Sequence, residues 1–142
     1  MCLSNIDDVI QFRLLEGGEL YDRILVMKRF SEKDASNIIY QLLYALNYMH
    51  QKGIAHRDIK PENVLLESKD VTNLTCKITD FGFSKFFDPR EGGLSEMLGS
   101  PLYMAPEIIR KVPYNEKVDI WSLGIMTYIL LCGKPPYSGK TK

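Results

Sequence analysis

Ile54-Ala55-His56-Arg57-Asp58-Ile59-Lys60-Pro61-Glu62-Asn63-Val64-Leu65-Leu66 is the run around which the other elements fall into place. Apolar residues bracket a dense cluster of charged and amide groups. Such a cluster is costly to pack unless each group finds a partner. The spacing suits phosphate chemistry. Asp58 can accept a proton or orient a hydroxyl. Lys60, two residues on, projects to the same side of an extended segment and can offset phosphate charge. Asn63 offers a neutral oxygen to a hard cation such as Mg²⁺. Downstream, Asp80-Phe81-Gly82 adds a second oxygen ligand and a glycine that frees the backbone. The plainer alternative is a charged surface loop between two elements.

Working outward, Val64 to Leu66 and Thr75 to Ile78 read as two short strands joined by the polar turn Glu67-Ser68-Lys69-Asp70-Val71-Thr72-Asn73. Such a hairpin starts at Asn63 and delivers Asp80 at its end, so both oxygen ligands fall beside one metal. Upstream, Ser31 is the expected cap of a long helix, with Asp34 three residues later. Ala35, Ile38, Ile39, Leu42, Leu43, Leu46 and Met49 follow helical spacing and predict one apolar face. Gly53 is the expected stop. Tyr40, Tyr44 and Tyr48 make a stripe read as packing rather than as a binding box. Residues 19–29 predict a short helix, and Val9 to Phe12 could form a strand.

On the C-terminal side, residues 83–102 lose periodicity. Pro89, Gly92, Gly93 and Gly99 predict a mobile loop. Glu107 opens a short helix. Residues 116–132 predict a helix apolar on nearly all sides, and therefore buried. Asp119 is its exception, because a buried carboxylate needs donors.

The 142 residues suffice for one domain with a core. Net charge is zero, so composition points to neither nucleic acid nor another charged-surface partner. Cys2, Cys76 and Cys132 match no metal spacing and suit a reduced, intracellular, cytoplasmic setting. The N-terminal residues do not read as a signal peptide. Ile120 to Cys132 is too short to span a bilayer, so no membrane partner is expected.

The run at 54–66 together with Asp80-Phe81-Gly82 resembles the catalytic and metal loops of protein kinases, H-R-D-x-K-x-x-N and D-F-G. Gly17-Gly18-Glu19, Ala105-Pro106-Glu107 and Asp119-Ile120-Trp121 match further family motifs in order. The resemblance implies an α+β, mostly α fold: the large C-terminal lobe of a kinase domain, helical with a short β-hairpin. It covers residues 14–142, from the hinge to the loop after the buried helix, and leaves 1–13 unassigned. Arg13 departs from it, standing where related kinases carry an acidic residue.

By that resemblance Asp58, Lys60 and Asn63 are catalytic. Asp58 orients the substrate hydroxyl and Lys60 stabilises the γ-phosphate of ATP. Asn63 and Asp80 hold Mg²⁺. Leu65 packs under adenine, and Glu19 contacts ribose or a basic substrate residue. Glu19 is equally readable as an acidic first-turn residue favoured by the helix dipole. Glu62 joins Glu19 in favouring a basic residue upstream of the target. His56 and Phe81 stack in a column ending on Asp119, whose donors are catalytic-loop N–H groups. Asp-Ile-Lys-Pro-Glu-Asn is the serine/threonine form, and Ser100 sits where the family's Ser or Thr meets the catalytic Asp and Lys. Arg57 beside Asp58 implies activation-loop control, with Ser95 as the candidate phosphate acceptor and Glu91 and Glu96 as partial substitutes.

The wider pattern looks like the calcium/calmodulin-dependent and calcium-dependent kinases. No EF-hand loop occurs, so a calcium sensor would lie outside this chain. No G-x-G-x-x-G or V-A-x-K precedes the hinge, and the first lysine is Lys28. Two readings stay open: part of a serine/threonine kinase, inactive in isolation, or a non-catalytic binding or decoy module built on a large lobe.

Overall fold

The computed structural model describes residues 15–88, 90 and 92–137. The expected strand at 9–12, and Arg13, Leu14, Pro89 and Glu91, lie outside the described residues. Helix α1 (Leu20–Met27) leads into the long α2 (Glu32–Gln51). Strand β1 (Ile54–Ala55) precedes the catalytic-loop run. A 3-10 turn (Pro61–Asn63) ends that run and opens β2 (Val64–Leu66). Then come β3 (Cys76–Ile78), β4 (Lys85–Phe86), the short α3 (Pro106–Ile109) and α4 (Lys117–Cys132).

Local chemistry explains most boundaries. Ser31 Oγ accepts from the Asp34 N–H at 3.1 Å and donates to the Asp34 carboxylate at 2.8 Å, which closes the first turn of α2. The helix stops where Gly53 adopts φ +71°, a region costly for residues with a Cβ. One face of α2 buries Ala35, Ile38, Leu42, Leu46 and Met49. These pack with Leu123, Met126 and Leu130 of α4 and with Val64 and Leu66 of β2 in the main core. Burying such side chains stabilises by about 1.5–3 kcal/mol each.

β2 and β3 form the expected antiparallel hairpin, with Val64 opposite Ile78 and Leu66 opposite Cys76. The polar Gln41 of α2 ties the helix to it. Its amide donates to the Leu74 carbonyl at 3.0 Å and its oxygen accepts from the Cys76 N–H at 3.1 Å. The hinge stretch lies along the same hairpin: the Gly17 N–H donates to the Leu66 carbonyl, and the Leu66 N–H to that of Gly18. A Cβ on Gly17 would come within 2.5 Å of the Ser68 carbonyl, so this close approach requires glycine.

Three expectations are corrected. Tyr40, Tyr44 and Tyr48 are largely exposed, the last at 62 %, rather than packed. Five core residues already fill the other face of α2, and the stripe lies off it; Leu43 is exposed with it and Ile39 half-buried. Helix α4 is not buried all round: Ile120, Trp121, Tyr128 and Leu131 stand on an open face. Residues 83–102 are anchored at several points rather than free. β4 pairs with β1, Leu94 bridges to Tyr114, and Glu96 is ion-paired. Turn-rich composition concealed these contacts, because their partners are distant in sequence.

Candidate active site

Three elements meet at the site: the loop between β1 and β2, the segment before α3, and the N-terminal turns of α4. Asp119, at the start of α4, is fully buried. One of its oxygens accepts from the Arg57 N–H at 2.8 Å. The other accepts from the His56 N–H at 2.9 Å and lies 2.8 Å from His50 Nε2. The catalytic-loop N–H groups are the donors anticipated for this carboxylate. His50 is an additional partner, whose only sequence signal was a polar residue at the end of an apolar helix.

These bonds hold Arg57 at φ +71°, a conformation a non-glycine residue adopts only when its surroundings fix it. His56 is a packed core histidine. Its Nε2 lies 3.0 Å from the Thr79 carbonyl and its ring 5.2 Å from that of Phe81.

The carboxylate of Asp58, buried at the head of the loop, collects four contacts. Its Oδ1 accepts from the Ser100 N–H at 3.0 Å and the Ser100 hydroxyl at 2.9 Å. Its Oδ2 accepts from Asn63 Nδ2 at 3.1 Å and pairs with Lys60 Nζ at 2.7 Å. Lys60 Nζ also donates to Ser100 Oγ at 2.9 Å. Burial pushes the Asp58 pKa up. Hydrogen bonds from Lys60 and Ser100, the Lys60 charge and the Asn63 amide outweigh it and hold the group below its usual value. An ionised carboxylate and an ammonium thus share one serine hydroxyl. Gly99 makes the approach possible: it sits at φ +114°, where a Cβ would meet the Arg57 carbonyl at 2.8 Å.

Asn63 Nδ2 also donates to the Asp58 carbonyl at 2.8 Å. Both amide hydrogens therefore face Asp58, and Oδ1 has no hydrogen bond among the described residues. Asp80 stands outside this network. The Thr79 N–H donates to the Asn63 carbonyl at 2.9 Å, so the chain reaches Asp80 one residue past Asn63's own partner. Asp80 is exposed at φ +58°. Its Oδ1 accepts from the Gly82 N–H at 3.1 Å, leaving its other oxygen without a hydrogen bond among the described residues. One amide oxygen and one carboxylate oxygen suit a hard cation that keeps water and phosphate oxygens as its other ligands. The described residues hold no cluster of three His, Cys, Asp or Glu side chains fit for a metal.

Glu19 and Leu65 face each other in an isolated bridge between hinge and hairpin, and both are half-buried. Glu62 lies on the 3-10 turn beside the loop. Its Oε2 is buried with no hydrogen-bond partner. Tyr103 is near enough that burial, then the Glu62 charge and Tyr21, push its phenol well up.

Arg57 links the site to the following segment: its Nε donates to the Phe83 carbonyl and its Nη1 to Glu96 Oε2, both at 2.6 Å. Glu96 is held below its usual pKa by its hydrogen bonds to Lys85 and then Arg57. Ser95, the expected phosphate acceptor, is exposed, whereas Glu96 meets the arginine. Sequence reading could separate these neighbours only by knowing which way the segment turns.

Similarity to known proteins agrees with this geometry. The protein kinase domain family matches residues 3–142. A Dictyostelium discoideum protein named as a probable myosin light chain kinase is 48 % identical over 130 residues, covering 90 % of this chain and 32 % of the relative. Calcium/calmodulin-dependent protein kinase type 1 of Macrobrachium nipponense is 48 % identical over 124 residues, covering 87 % of this chain and 35 % of the relative. Its Caenorhabditis elegans counterpart is 47 % identical over 124 residues, with the same two shares. The chain spans about a third of the length of these curated relatives. No helix among the described residues is long and apolar enough to cross a membrane. With a matching motif set, the expected large-lobe fold and a family match from residue 3 to residue 142, the chain belongs to the protein kinase domain family.

Proposed function

We propose that this chain is the large-lobe part, residues 14–142, of a serine/threonine protein kinase that transfers the γ-phosphoryl group of ATP to a protein hydroxyl. The observation that carries the reading is the Ser100 hydroxyl, held 2.9 Å from both Asp58 Oδ1 and Lys60 Nζ. A carboxylate that accepts a hydroxyl proton beside an ammonium that offsets phosphate charge is the pairing this transfer requires.

In this reading Asp58 orients the acceptor hydroxyl and takes its proton. Lys60 neutralises charge on the transferred group. Asn63 and Asp80 hold Mg²⁺, which when bound offsets charge on the phosphates. Leu65 packs against adenine, and Glu19 meets ribose or the peptide. Glu62, half-buried on the 3-10 turn next to the loop, supports selection of a basic residue upstream of the target, since a carboxylate there can pair with an arginine. Calcium-sensor control is the regulation suggested by the relatives' names, and a cytoplasmic setting fits such a kinase.

A chimaera joining residues 14–142 to the nucleotide-binding lobe of a calcium/calmodulin-dependent kinase tests this on a peptide array. Phosphoserine and phosphothreonine are the expected products, with Asp58→Asn lowering kcat by roughly a thousandfold or more. Phosphotyrosine as the main product would overturn the specificity. Glu62→Gln should raise KM for peptides with upstream arginine more than for those without, while kcat changes little.

A further inference from the structure

Arg23 stands where the pattern of α1 calls for an apolar residue. Leu20, Arg23 and Ile24 make the buried face of this helix, at the i, i+3, i+4 spacing of a core stripe. Arg23 is only 8 % exposed. A guanidinium in such a place is costly unless its donors are taken up. Two of them reach main-chain carbonyls of the turn between β2 and β3. Nη2 donates to the Ser68 carbonyl at 3.2 Å and Nη1 to that of Asp70 at 3.5 Å. The Asp70 carboxylate itself faces Thr72, accepting from its N–H at 2.9 Å and from its hydroxyl at 2.8 Å. The arginine therefore grips the turn by its backbone, for which a planar fork of donors suits better than a single ammonium.

The hinge holds the same turn from another side. The Ser68 carbonyl lies so close to Gly17 that a Cβ there would meet it at 2.5 Å. The N–H groups of Glu16 and Gly17 donate to the Glu67 and Leu66 carbonyls, at 3.3 and 3.0 Å. Hinge, end of β2, turn and α1 thus close a ring, with Glu19 opposite Leu65. We infer that Arg23 is a positioning residue for the nucleotide, clamping the 67–70 turn so that Leu65 and Glu19 keep their register against adenine and ribose. The inference deepens the kinase reading above and rests on it for the nucleotide. Arg23 acts only through the Ser68 and Asp70 carbonyls. Replacing a buried ionic group by an apolar one of like volume is commonly neutral or stabilising, so packing of α1 alone gives no reason for a guanidinium at 23.

Hydrogen exchange on the 142-residue chain, without ATP, tests the clamp. In Arg23→Met, the amides of Gly17, Leu66 and Glu67 should exchange roughly tenfold faster, the factor for losing one hydrogen bond to a charged group. Amides of α2 should be unchanged. Arg23→Lys keeps one donor and should fall between parent and Arg23→Met. Parent rates at these amides in Arg23→Met would overturn the inference. If that variant loses protection throughout α2, Arg23→Lys decides: faster exchange at Gly17, Leu66 and Glu67 supports the clamp, and parent rates there overturn it. Titrating the chimaera with a fluorescent ATP analogue tests the nucleotide. Arg23→Met should weaken binding about fivefold and raise KM for ATP to match, while KM for peptide and kcat stay within about twofold. Unchanged nucleotide affinity, or a fall in kcat with KM for ATP untouched, would overturn the positioning role. A parent chimaera that binds no nucleotide would sink the kinase reading and the nucleotide role together, and leave the clamp to the exchange result. A failed clamp would leave the Asp58–Lys60 chemistry standing.

Discussion

Two of the described non-glycine residues at positive φ, Arg57 and Asp80, fall at the site. At Arg57 the cause is visible: Asp119 takes the N–H groups of His56 and Arg57 and so fixes the bend. Asp119→Ala should leave these two N–H groups and His50 without their acceptor, costing roughly 3 kcal/mol or more in urea denaturation. Asp119→Asn keeps one acceptor oxygen and should cost less. Equal losses for the two variants would mean that side-chain volume, not hydrogen bonding, matters at 119. Asp58 gives a pH signature. Its folded pKa is lowered from 3.8, so its contribution is present above the unfolded value and is lost as pH falls through the folded one. Asp58→Asn should lower stability at neutral pH and flatten the stability-against-pH curve below about pH 5. A parallel curve of unchanged slope would show that Lys60, Ser100 and Asn63 do not favour the ionised form.

Among the elements, α2 was the most legible in the sequence, because cap, periodicity and stop all agreed. Ser31→Ala removes the Asp34 N–H acceptor and should cost about 1 kcal/mol, read as a shift in urea midpoint. A shift indistinguishable from zero would assign the start of α2 to its packing alone. The β2–β3 hairpin was equally readable, since two short apolar runs flank one polar turn. The short β1–β4 pair was not. Two-residue strands carry no periodicity, and Lys85-Phe86 gains its partner only after the chain has turned back. The same limit applied to Glu96 and Tyr114, whose pairing joins two turn-rich stretches, and to the tyrosine stripe, where aromatic spacing marks a face without saying what lies against it. The catalytic-loop run needed no such long-range knowledge for its internal contacts: Asp58, Lys60 and Asn63 lie within six residues of one another.

At the scale of the molecule, the core between α2 and α4 is closed, while two apolar surfaces stand open among the described residues. One is a groove of about 640 Å³ lined by Tyr40, Tyr44, Tyr48, Ile54, Ile78 and Phe81. The other, of about 540 Å³, lies along α4 at Ile120, Trp121, Gly124 and Tyr128. With no lysine before Lys28, the purified 142-residue chain has no V-A-x-K group to position ATP, and negligible turnover is expected from it. Robust phosphorylation of a basic peptide by that chain would contradict this. Open apolar area of this kind binds hydrophobic dyes and promotes self-association. The chain should therefore enhance the fluorescence of anilinonaphthalene sulfonate while keeping a cooperative urea transition, unlike a molten state, whose dye binding accompanies lost packing. Tyr40 and Tyr44 are each at least 70 % exposed, so Tyr40→Lys/Tyr44→Lys should reduce dye binding and move stability by less than about 1 kcal/mol. Unchanged fluorescence in that double variant would remove the α2 groove as a dye site, leaving the α4 face, where Ile120→Lys provides the matching test.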